Sequence, residues 1–348
     1  MAEALKFSLF ADFHYKKGMY AVTYDDLAQI LKKAEKEQVE AIFHAGDFTN
    51  DYNGSKEVIN PLLNNKMGVP VCGVYGNHEL ECGNAMNDVT KFLTNADNAV
   101  WGTTDGKIGD GSIAYYYVDI KNFRIICTDT NYSFNREGFW EHNRTSSWGA
   151  PAENILRNSL GTAQLNWLEE VLIKSAKESK KCIVISHESF SGKFRSTSPD
   201  ASRIRNLFAC ANSIKKGTVL MAINGHIHTN NAEVVENVLY LDMNTTRNSW
   251  WQLKGSEHYG EEHNYTYTEY EDGQEKETYE RSLGLDRMSK NTWYTKDPLS
   301  AIVTVSEDGE ITIEGTESSY VYGIEPPETK WNDCEPRVLS GNWKLEVE

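Results

Sequence analysis

Short apolar runs recur along the chain, and most of them end at a glycine or a polar side chain. In the first part, the runs at 5–11, 40–45 and 69–75 have the length of buried strands, whereas the segments at 23–38 and 56–65 carry apolar residues at helical spacing. Strands that alternate with helices in this way form parallel sheets through right-handed crossovers. The pattern therefore predicts an α/β fold that begins with a βαβαβ series.

A second alternation of strands and helices occupies the middle of the chain. It is interrupted by a polar and aromatic segment at 131–160, a length that is typical of a functional loop. Thr162 is the predicted N-cap of the helix that follows. Farther on, Asp308-Gly309 between two strand-like runs predicts a β-hairpin, whereas 249–298 shows little periodicity. The elements predicted for this series are at 84–96 (helix), 113–119, 123–129, 162–178 (helix), 182–186, 203–215 (helix), 218–224 and 234–243 (two strands).

Polar residues with metal-binding side chains follow several of the predicted strands. Because the carboxyl ends of parallel strands lie at one edge of a sheet, distant segments would deliver these side chains to one place. The strongest single piece is Gly225-His226-Ile227-His228, since two imidazoles at a spacing of two after a buried strand seldom serve packing. The residues that follow the strands are Asp12, His14, Asp47, Asn77, His78, His187, His226 and His228.

Imidazole nitrogen, carboxylate oxygen and amide oxygen together form a borderline-hard ligand set. Such a set suits Mn, Fe, Zn, Co or Ni, and it contains no thiolate that would select a softer metal. The candidate ligands other than His78 are too many for one ion. The sequence therefore predicts a site for two ions that share a carboxylate.

Each of these residues also has an ordinary structural explanation. Asp12 alone fits an Asx turn, Gly46-Asp47 is a common turn, and His187 alone fits a hydrogen-bonded core histidine. What favours the metal site is that all the clusters occur in the chain together, each after a buried run.

Composition limits the partners and the compartment. The 35 basic and 51 acidic residues give a formal net charge of −16, which argues against binding to nucleic acid polymers or anionic membranes. Bound divalent metals reverse the sign locally, so a small phosphorylated substrate is compatible with this charge. No apolar run approaches the ~20 residues that cross a bilayer, and the N-terminus lacks a signal-peptide pattern. The cysteines are scattered, and several lie in apolar runs, so we expect a cytoplasmic protein with reduced thiols.

The polar blocks stand in the order found in the calcineurin-like metallophosphoesterases, which the segment from residue 5 to about 245 resembles. The similarity is to the branch of cyclic nucleotide phosphodiesterases and bacterial enzymes like the purple acid phosphatases. It implies a four-layer α/β/β/α sandwich with two mixed sheets. We therefore expect a catalytic domain at 1–245 and, outside the resemblance, a C-terminal extension at 246–348 that contains the hairpin and packs on that domain. The blocks are Asp12-x-His14, Gly46-Asp47, Gly76-Asn77-His78-Glu79, His187 and Gly225-His226-x-His228.

The resemblance assigns the metal ligands. Two divalent or trivalent transition-metal ions are implied, with Asp47 as their bridge. Ions ~3.5–4 Å apart generate a hydroxide nucleophile and hold the phosphoryl oxygens for in-line displacement. The implied ligands are Asp12, His14, Asp47 and His228 for the first ion, and Asp47, Asn77, His187 and His226 for the second.

The resemblance also assigns roles beside the metals. His78 would protonate the leaving group or stabilise the phosphoryl group, and Glu79 would anchor its loop or orient it. Some branches pair this histidine with an acidic residue three positions after the Gly-Asp aspartate. That position is Asn50 here, and Asp51 follows it, so both residues are candidates.

Substrate selection is expected from loops over the metals, where His142, Arg136, Arg144 and Arg195 are candidates for contacts with phosphate oxygens. The expected activity is hydrolysis of a small phosphomonoester or phosphodiester, nucleotides included. A phosphoprotein phosphatase is the alternative, although Asn50-Asp51 stands where that branch has Asp-Arg. A scaffold without activity is the third reading, and the intact ligand set argues against it.

Overall fold

Two mixed β-sheets lie face to face at the centre of the fold. The computed structural model describes residues 2–15, 22–50, 56–80, 93–102, 114–134, 138, 140–142, 156–192, 198–250, 253–254, 263–271, 274–283, 292–320, 328–329 and 335–347. Within these ranges the helices are α1 (Tyr24–Lys36), α2 (Lys56–Leu63), α3 (Gly161–Lys177) and α4 (Ala201–Ile214). The strands are β1 (Ala4–Phe10), β2 (Ala41–His44), β3 (Val71–Gly73), β4 (Val100–Trp101), β5 (Tyr116–Ile120), β6 (Phe123–Cys127), β7 (Tyr132–Phe134), β8 (Trp140–His142), β9 (Leu156–Ser159), β10 (Lys181–Ile185), β11 (Val219–Asn224), β12 (Asn231–Val235), β13 (Val238–Asp242), β14 (Asn248–Trp250), β15 (Leu253–Lys254), β16 (His263–Glu271), β17 (Gln274–Leu283), β18 (Thr292–Tyr294), β19 (Ala301–Ser306), β20 (Glu310–Gly315), β21 (Glu328–Thr329) and β22 (Gly341–Lys344).

The first sheet has the strand order β22-β20-β19-β1-β2-β3. β1, β2 and β3 are parallel, as the apolar pattern predicts, and Phe7 of β1 lies opposite Ala41 of β2. On its other side Phe7 lies opposite Val303 of β19, in an antiparallel pair. The predicted hairpin is present as β19 and β20, and it extends this sheet. Part of the expected extension at 246–348 is therefore built into the first sheet, and the boundary at 245 stays a prediction.

The second sheet has the strand order β12-β13-β11-β10-β6-β5-β4. β6, β10, β11 and β13 are parallel, whereas β12, β5 and β4 pair antiparallel with their neighbours. The carboxyl ends of β10 and β11 thus lie side by side at one edge.

Helices cover the outer face of each sheet. α1 contacts β1, while α3 and α4 contact β10 and β11. One apolar core, which includes Phe7 and Ile185, fills the space between the sheets. A second core, which includes Ile126 and Leu168, lies between the second sheet and its helices. The predicted four-layer α/β/β/α sandwich is confirmed.

The start of α3 differs from the sequence pattern, because Thr162 is not its N-cap. The helix begins at Gly161, one residue earlier. The N–H of Gly161 donates to Oγ of Ser159 at 3.2 Å, and the N–H of Leu160 donates to the Asp200 carboxylate at 2.9 Å. One local partner, Ser159, and one distant partner, Asp200, thus accept N–H groups at the start of the helix, so a capping side chain at the predicted place is not needed.

Two segments without apolar periodicity contain strands. The segment at 131–160 includes β7, β8 and β9, which form a small antiparallel sheet. Within 249–298, β16 and β17 pair as an antiparallel ladder with Tyr267 opposite Tyr279. Alternating tyrosine and threonine favour strands without an apolar face, which is why the hydrophobic pattern missed them. Of the predicted helix at 84–96, residues 84–92 lie outside the described ranges, and the remainder pairs through Thr94 with Cys72.

Three of the cysteines that lie in predicted strands are among the described residues. Cys72, Cys127 and Cys182 are buried and free. No helix within the described ranges combines the length and the apolar character that crossing a bilayer requires.

Candidate metal centre

The loops that follow five strands converge at one edge of the two sheets. Asp12 and His14 follow β1, Asp47 follows β2, and the Asn77-His78-Glu79 turn follows β3. His187 follows β10, and His226 and His228 follow β11. The N–H of Asp12 donates to the carbonyl of Gly46 at 3.0 Å, which ties the first two loops together. The predicted ligands that are at least nine-tenths buried are Asp12, His14, Asp47, Asn77, His187 and His228.

The first cluster contains Asp12, His14 and His228. Nε2 of His228 lies 3.1 Å from Oδ1 of Asp12 and 3.1 Å from Nε2 of His14. The backbone N–H of His226 donates to both carboxylate oxygens of Asp12, at 3.1 and 3.0 Å, and so orients that carboxylate. These contacts bring together three of the ligands expected for the first ion.

The second cluster is centred on Nε2 of His187. That nitrogen lies 3.2 Å from Oδ2 of Asp47, 3.3 Å from Oδ1 of Asn77 and 3.2 Å from Nδ1 of His226. Nδ1 of His187 donates to the carbonyl of Ala45 at 2.8 Å, which leaves the lone pair on Nε2. All four ligands expected for the second ion therefore meet here.

Asp47 belongs to the second cluster and also faces His14 of the first. Its Oδ2 atom is 3.2 Å from Nε2 of His187 and 3.8 Å from Nε2 of His14. Oδ1 accepts the backbone N–H of His78 at 2.8 Å, so this oxygen is held on the loop while Oδ2 faces the clusters. The arrangement fits the bridging position that the sequence predicts for Asp47.

The chemistry of the donor set fits cations. In the second cluster the atoms that face one another are a carboxylate oxygen, an amide oxygen and imidazole nitrogens, which are all acceptors. Burial opposes protonation of His187, yet the charges of Asp47, Asp12 and Glu188 raise its pKa to about 10. Burial and the charge of His187 lower the pKa of His226 to about 3, so that ring keeps its lone pair. A metal ion supplies the positive charge that this cluster otherwise takes from a proton on His187.

Most of the expected ligands have a positive φ angle, a backbone conformation that residues other than glycine seldom adopt. Left-handed φ values cost an L-residue roughly 1–2 kcal/mol, and they persist where the surrounding structure determines them, often at functional sites. The pattern of hydrophobic residues carries no signal for this. The residues and their φ angles are Asp12 (49°), His14 (51°), Asp47 (49°), His226 (69°) and His228 (54°).

Glycine precedes two of the motifs because ligand carboxylates occupy the space of a side chain. A Cβ on Gly76 would lie 2.0 Å from Oδ1 of Asp47, and one on Gly225 would lie 2.5 Å from Oδ2 of Asp12. Gly76 does not have a positive φ, so its role is to give room to Asp47 rather than to form a left-handed turn.

Glu79 anchors the loops, as one of its two predicted roles states. Its Oε2 atom accepts the N–H of Gly76 at 2.6 Å and the N–H of Asp47 at 3.1 Å. Its Oε1 atom accepts the N–H of Thr49 at 3.0 Å. Burial and the charge of Asp47 raise the pKa of Glu79 to about 7. The carboxylate therefore ties the loops after β2 and β3 to each other.

Asn50 joins His14, one of the expected ligands, to His78. Its Oδ1 atom is 3.0 Å from Nδ1 of His14, and its Nδ2 atom is 2.7 Å from Nδ1 of His78. For His14 to bind a metal through Nε2, the proton of its ring must be on Nδ1. That N–H then donates to the Asn50 side chain, so the Asn50 atom facing His14 is assigned as the amide oxygen. The Asn50 N–H then donates to Nδ1 of His78, whose proton is placed on Nε2. Asp51, the other candidate for this pairing, lies outside the described residues.

Glu188 is a neighbour of the centre that the sequence prediction did not include. Oε1 of Glu188 lies 3.4 Å from Nε2 of His226, on the side of the ring opposite His187. A carboxylate behind a metal-binding imidazole fixes its tautomer and orientation. Burial raises the pKa of Glu188 to about 8. The sequence could have indicated Glu188 through its position directly after the expected ligand His187.

Of the residues expected to contact substrate, only His142 is described. It lies at the end of β8 and pairs with Asp129, at 2.7 Å from Nε2 to Oδ2. Asp129 comes shortly after the end of β6, just as the expected ligands come after the ends of their strands. This position could have marked Asp129 in the sequence. Arg136, Arg144 and Arg195 lie outside the described residues.

Two mixed sheets with histidine, carboxylate and amide side chains at their strand ends define a metal-dependent phosphoesterase. The sequence model of the calcineurin-like phosphoesterases matches residues 5–230, and the chain belongs to that family. The resemblance predicted from the motif blocks is thereby confirmed. The family depends on two metal ions, and the clusters described above support metal-dependent hydrolysis of a phosphoester.

Several solved structures are similar to this chain at low sequence identity. A dimetal phosphatase from Danio rerio is 15% identical with a TM-score of 0.55, and the match covers 91% of this chain and 98% of that one. GAP50, the anchor in the inner membrane complex of Plasmodium, is 11% identical with a TM-score of 0.44, over 99% and 89% of the two chains. A putative 5′-nucleotidase from Staphylococcus aureus is 13% identical with a TM-score of 0.43, over 92% and 54%. No curated protein sequence matches the chain.

Proposed function

We propose that this protein hydrolyses a small phosphate ester, either a phosphomonoester or a phosphodiester and including nucleotides, at a centre of two transition-metal ions. The observation that carries the proposal is the position of Asp47. Its Oδ2 atom faces His187 of the second cluster at 3.2 Å and His14 of the first at 3.8 Å, a position that would suit a bridging carboxylate. The shared fold with a dimetal phosphatase from Danio rerio is consistent with this activity.

The residues of the two clusters would hold the metals, as the sequence predicts. When bound, two such ions acidify a water molecule and withdraw charge from the phosphoryl oxygens. Glu188 and Glu79 keep the ligands in place, through the His226 ring and through backbone N–H groups respectively. The first ion would be held by Asp12, His14, Asp47 and His228, and the second by Asp47, Asn77, His187 and His226.

His78 would donate a hydrogen bond to the substrate. Its ring is edge-on to the ring of His14 at 4.7 Å, and its Nε2 atom is 3.9 Å from Oδ2 of Asp47, so this nitrogen faces the centre. Because Asn50 donates to Nδ1, the proton of His78 is on Nε2, where it can reach an oxygen of the phosphoryl group or the leaving group. A donor fixed in place stabilises the charge that develops there in the transition state.

Metal analysis combined with turnover tests the proposal. The full chain is loaded with Mn, Fe, Zn, Co or Ni, and a panel of phosphomonoesters and phosphodiesters that includes cyclic nucleotides is assayed. We expect two ions per chain and turnover of at least one ester. Fewer than two ions at saturation and no turnover of any ester would contradict the proposal and favour a scaffold.

Substitution of His78 tests its role separately. His78→Ala is expected to lower kcat by about 10²–10⁴-fold with both metals retained, which is the usual contribution of proton-transfer groups. His44→Leu is the matched control, since His44 is also a buried histidine but contacts Phe10 and Phe48 instead of the ligands. Unchanged turnover in His78→Ala would show that His78 is not the donor.

A further inference from the structure

The C-terminal end of the described chain contacts both central sheets. Residues 335–347, the tail segment, add β22 to the edge of the first sheet beside β20. The same segment contacts the hairpin of β12 and β13, which forms one edge of the second sheet. This hairpin begins just after the loop that carries His226 and His228, so its open end lies at the edge with the metal ligands.

Two asparagine side chains fasten the tail segment to the two ends of this hairpin. At the open end, Nδ2 of Asn230 donates to the carbonyl of Arg337 at 2.9 Å, and the N–H of Leu339 donates to Oδ1 of Asn230 at 3.2 Å. At the turn, Nδ2 of Asn237 donates to the carbonyl of Glu346 at 2.7 Å, and the N–H of Glu346 donates to Oδ1 of Asn237 at 2.8 Å. The two attachments make the same kind of contact, and the length of β12, about 16 Å, separates them.

The attachment at the open end lies next to the first metal-ligand cluster. Asn230 comes two residues after the expected ligand His228, and it is only 3% exposed. Asn244, which follows β13, donates through Nδ2 to the carbonyls of Glu335 at 3.0 Å and Arg337 at 3.1 Å. A backbone carbonyl has two lone pairs, so the oxygen of Arg337 can accept from both ends of the open hairpin.

A further hydrogen bond extends this contact to Asp12. Thr245 comes directly after Asn244, and its hydroxyl donates to the carbonyl of Asp12 at 2.8 Å. The N–H of Thr245 donates to Oδ1 of Asn244 at 2.9 Å, so the Asn244 amide is held at both of its polar atoms. Short chains of neighbouring residues thus connect two ligands expected for the first ion, Asp12 and His228, to the carbonyl of Arg337.

The loop of His228 needs contacts of this kind. The φ angle of His228 is 54°, a left-handed conformation that persists where the surrounding structure determines it. Asn230 provides a fixed point two residues later. Contacts that orient the ligands from outside are important for metal affinity, and their loss is costly.

We infer that the tail segment positions the ligands of the first metal ion, with Asn230 as the positioning residue. Because both loops are held at the Arg337 carbonyl, Asp12 and His228 keep the spacing at which their side chains reach one ion. The second ion takes three of its four expected ligands from other loops, so it depends less on the tail segment. This inference rests on the two-metal centre of the proposed function.

Metal titration of Asn230→Ala and Asn237→Ala tests the inference. Each variant removes an asparagine that pairs with the tail backbone, but only Asn230 lies beside the ligands. In calorimetric titrations of the full chain with Mn²⁺ and with Zn²⁺, Asn230→Ala is expected to weaken the binding of one ion about 10- to 100-fold. In the matched control Asn237→Ala, we expect a change of less than about threefold. Equal metal affinities in the two variants would overturn the inference.

A double variant identifies the ion that is affected. Asp12→Asn alone is expected to lose the first ion and to keep the second. When Asn230→Ala is added to it, the affinity for the remaining ion should change less than about threefold, because Asn230 acts through a site that is already lost. A further loss of about 10-fold or more would show that Asn230 does not act on the first ion, and it would overturn the inference.

Hydrogen exchange of the wild-type chain provides a readout that needs neither a variant nor turnover. Coupling is reciprocal, so a metal ion whose binding depends on the tail segment must in turn stabilise that segment. The N–H groups of Leu339 and Glu346 report on the two attachments, since each donates to one of the asparagines. Metal is expected to slow exchange about 10- to 100-fold at Leu339 and less than about threefold at Glu346.

Equal changes in exchange at the two amides would overturn the inference. The inference and the proposed activity can fail separately. If the chain binds two ions and hydrolyses no ester, the proposed activity is wrong, and the titrations and exchange rates still decide the role of the tail segment.

Discussion

Oδ2 of Asp47 lies 3.2 Å from Nε2 of His187, across the space between the loops that follow β2 and β10. The two strands belong to different sheets, so this contact exists only because the sheets are stacked. The same oxygen lies 3.8 Å from Nε2 of His14. Asp47 therefore lies between the two groups of expected ligands, which would otherwise be separate sites.

Asp47→Asn is expected to reduce the binding of both metals. The asparagine can still accept the N–H of His78, now 2.8 Å from Oδ1, but it puts an NH₂ group where Oδ2 faces the ligands. We expect metal affinity to fall by more than about 100-fold, which exceeds the usual effect of outer-shell changes. Metal stoichiometry and titration would measure this. In the comparison variant Asp12→Asn, only the ion of the first cluster should be lost; two ions bound at normal affinity in Asp47→Asn would rule out the bridge.

Glu79→Gln is expected to loosen the two loops that Glu79 connects. Glutamine has one oxygen, so its NH₂ group must face a backbone N–H at Gly76, Asp47 or Thr49. An unsatisfied buried donor costs about 1–3 kcal/mol in free energy of unfolding, and metal affinity should fall about 10- to 100-fold. Denaturant unfolding and metal titration are the measurements. Glu310→Gln, at a side chain that is 68% exposed, is the control, and equal stability of the two variants would contradict the role of Glu79.

Asn50→Asp is expected to change the pH dependence of turnover. In the wild type the Asn50 N–H donates to Nδ1 of His78, at 2.7 Å, which disfavours a proton there. A carboxylate would accept a hydrogen bond from the N–H at Nδ1 of His78 and stabilise the imidazolium. The variant should therefore show an alkaline limb in kcat that the wild type lacks, as His78 loses that proton. Profiles of kcat against pH at saturating metal are the test, and superimposable profiles would contradict the assigned amide orientation.

His44 is expected to make the folded state less stable in acid. Its ring is fully buried, neither nitrogen has a hydrogen-bond partner among the described residues, and burial with the charge of His187 lowers its pKa to about 3. The unfolded state, with a usual pKa near 6.5, binds more protons between about pH 3 and 6.5. Stability therefore falls as pH falls through that window, by at most about 1.4 kcal/mol per pH unit for this one group.

His44→Leu removes this contribution. Any change in packing affects the stability of the variant equally at every pH. As pH falls from about 6 to about 4, the wild type should therefore lose more unfolding free energy than the variant does. Chemical denaturation at several pH values measures it. Parallel stability curves would show that His44 does not account for the acid sensitivity.

Local pattern was sufficient for the strands and for the kind of site. The runs that became β1, β2 and β10 are apolar because both faces of those strands are buried, and such runs are visible without knowing their neighbours. Gly225-His226-Ile227-His228 also indicated a ligand loop without knowledge of its neighbours, because its two histidines lie close together in the sequence. Thr162 failed as an N-cap because the N–H of Leu160 finds an acceptor far along the chain, the Asp200 carboxylate, and the helix begins before Thr162.

By itself, the sequence determined which strands are buried, the order of the ligand loops and the donor types that select a transition metal. The tertiary structure decided which loops meet. It placed β19 beside β1, turned the Asn50 amide between His14 and His78, put Glu188 behind His226, and paired Asp129 with His142. Hydrophobic periodicity reports the burial of each segment, but it carries no information about partners far away in sequence. Those partners are set by the stacking of the two sheets, which is a property of the whole chain.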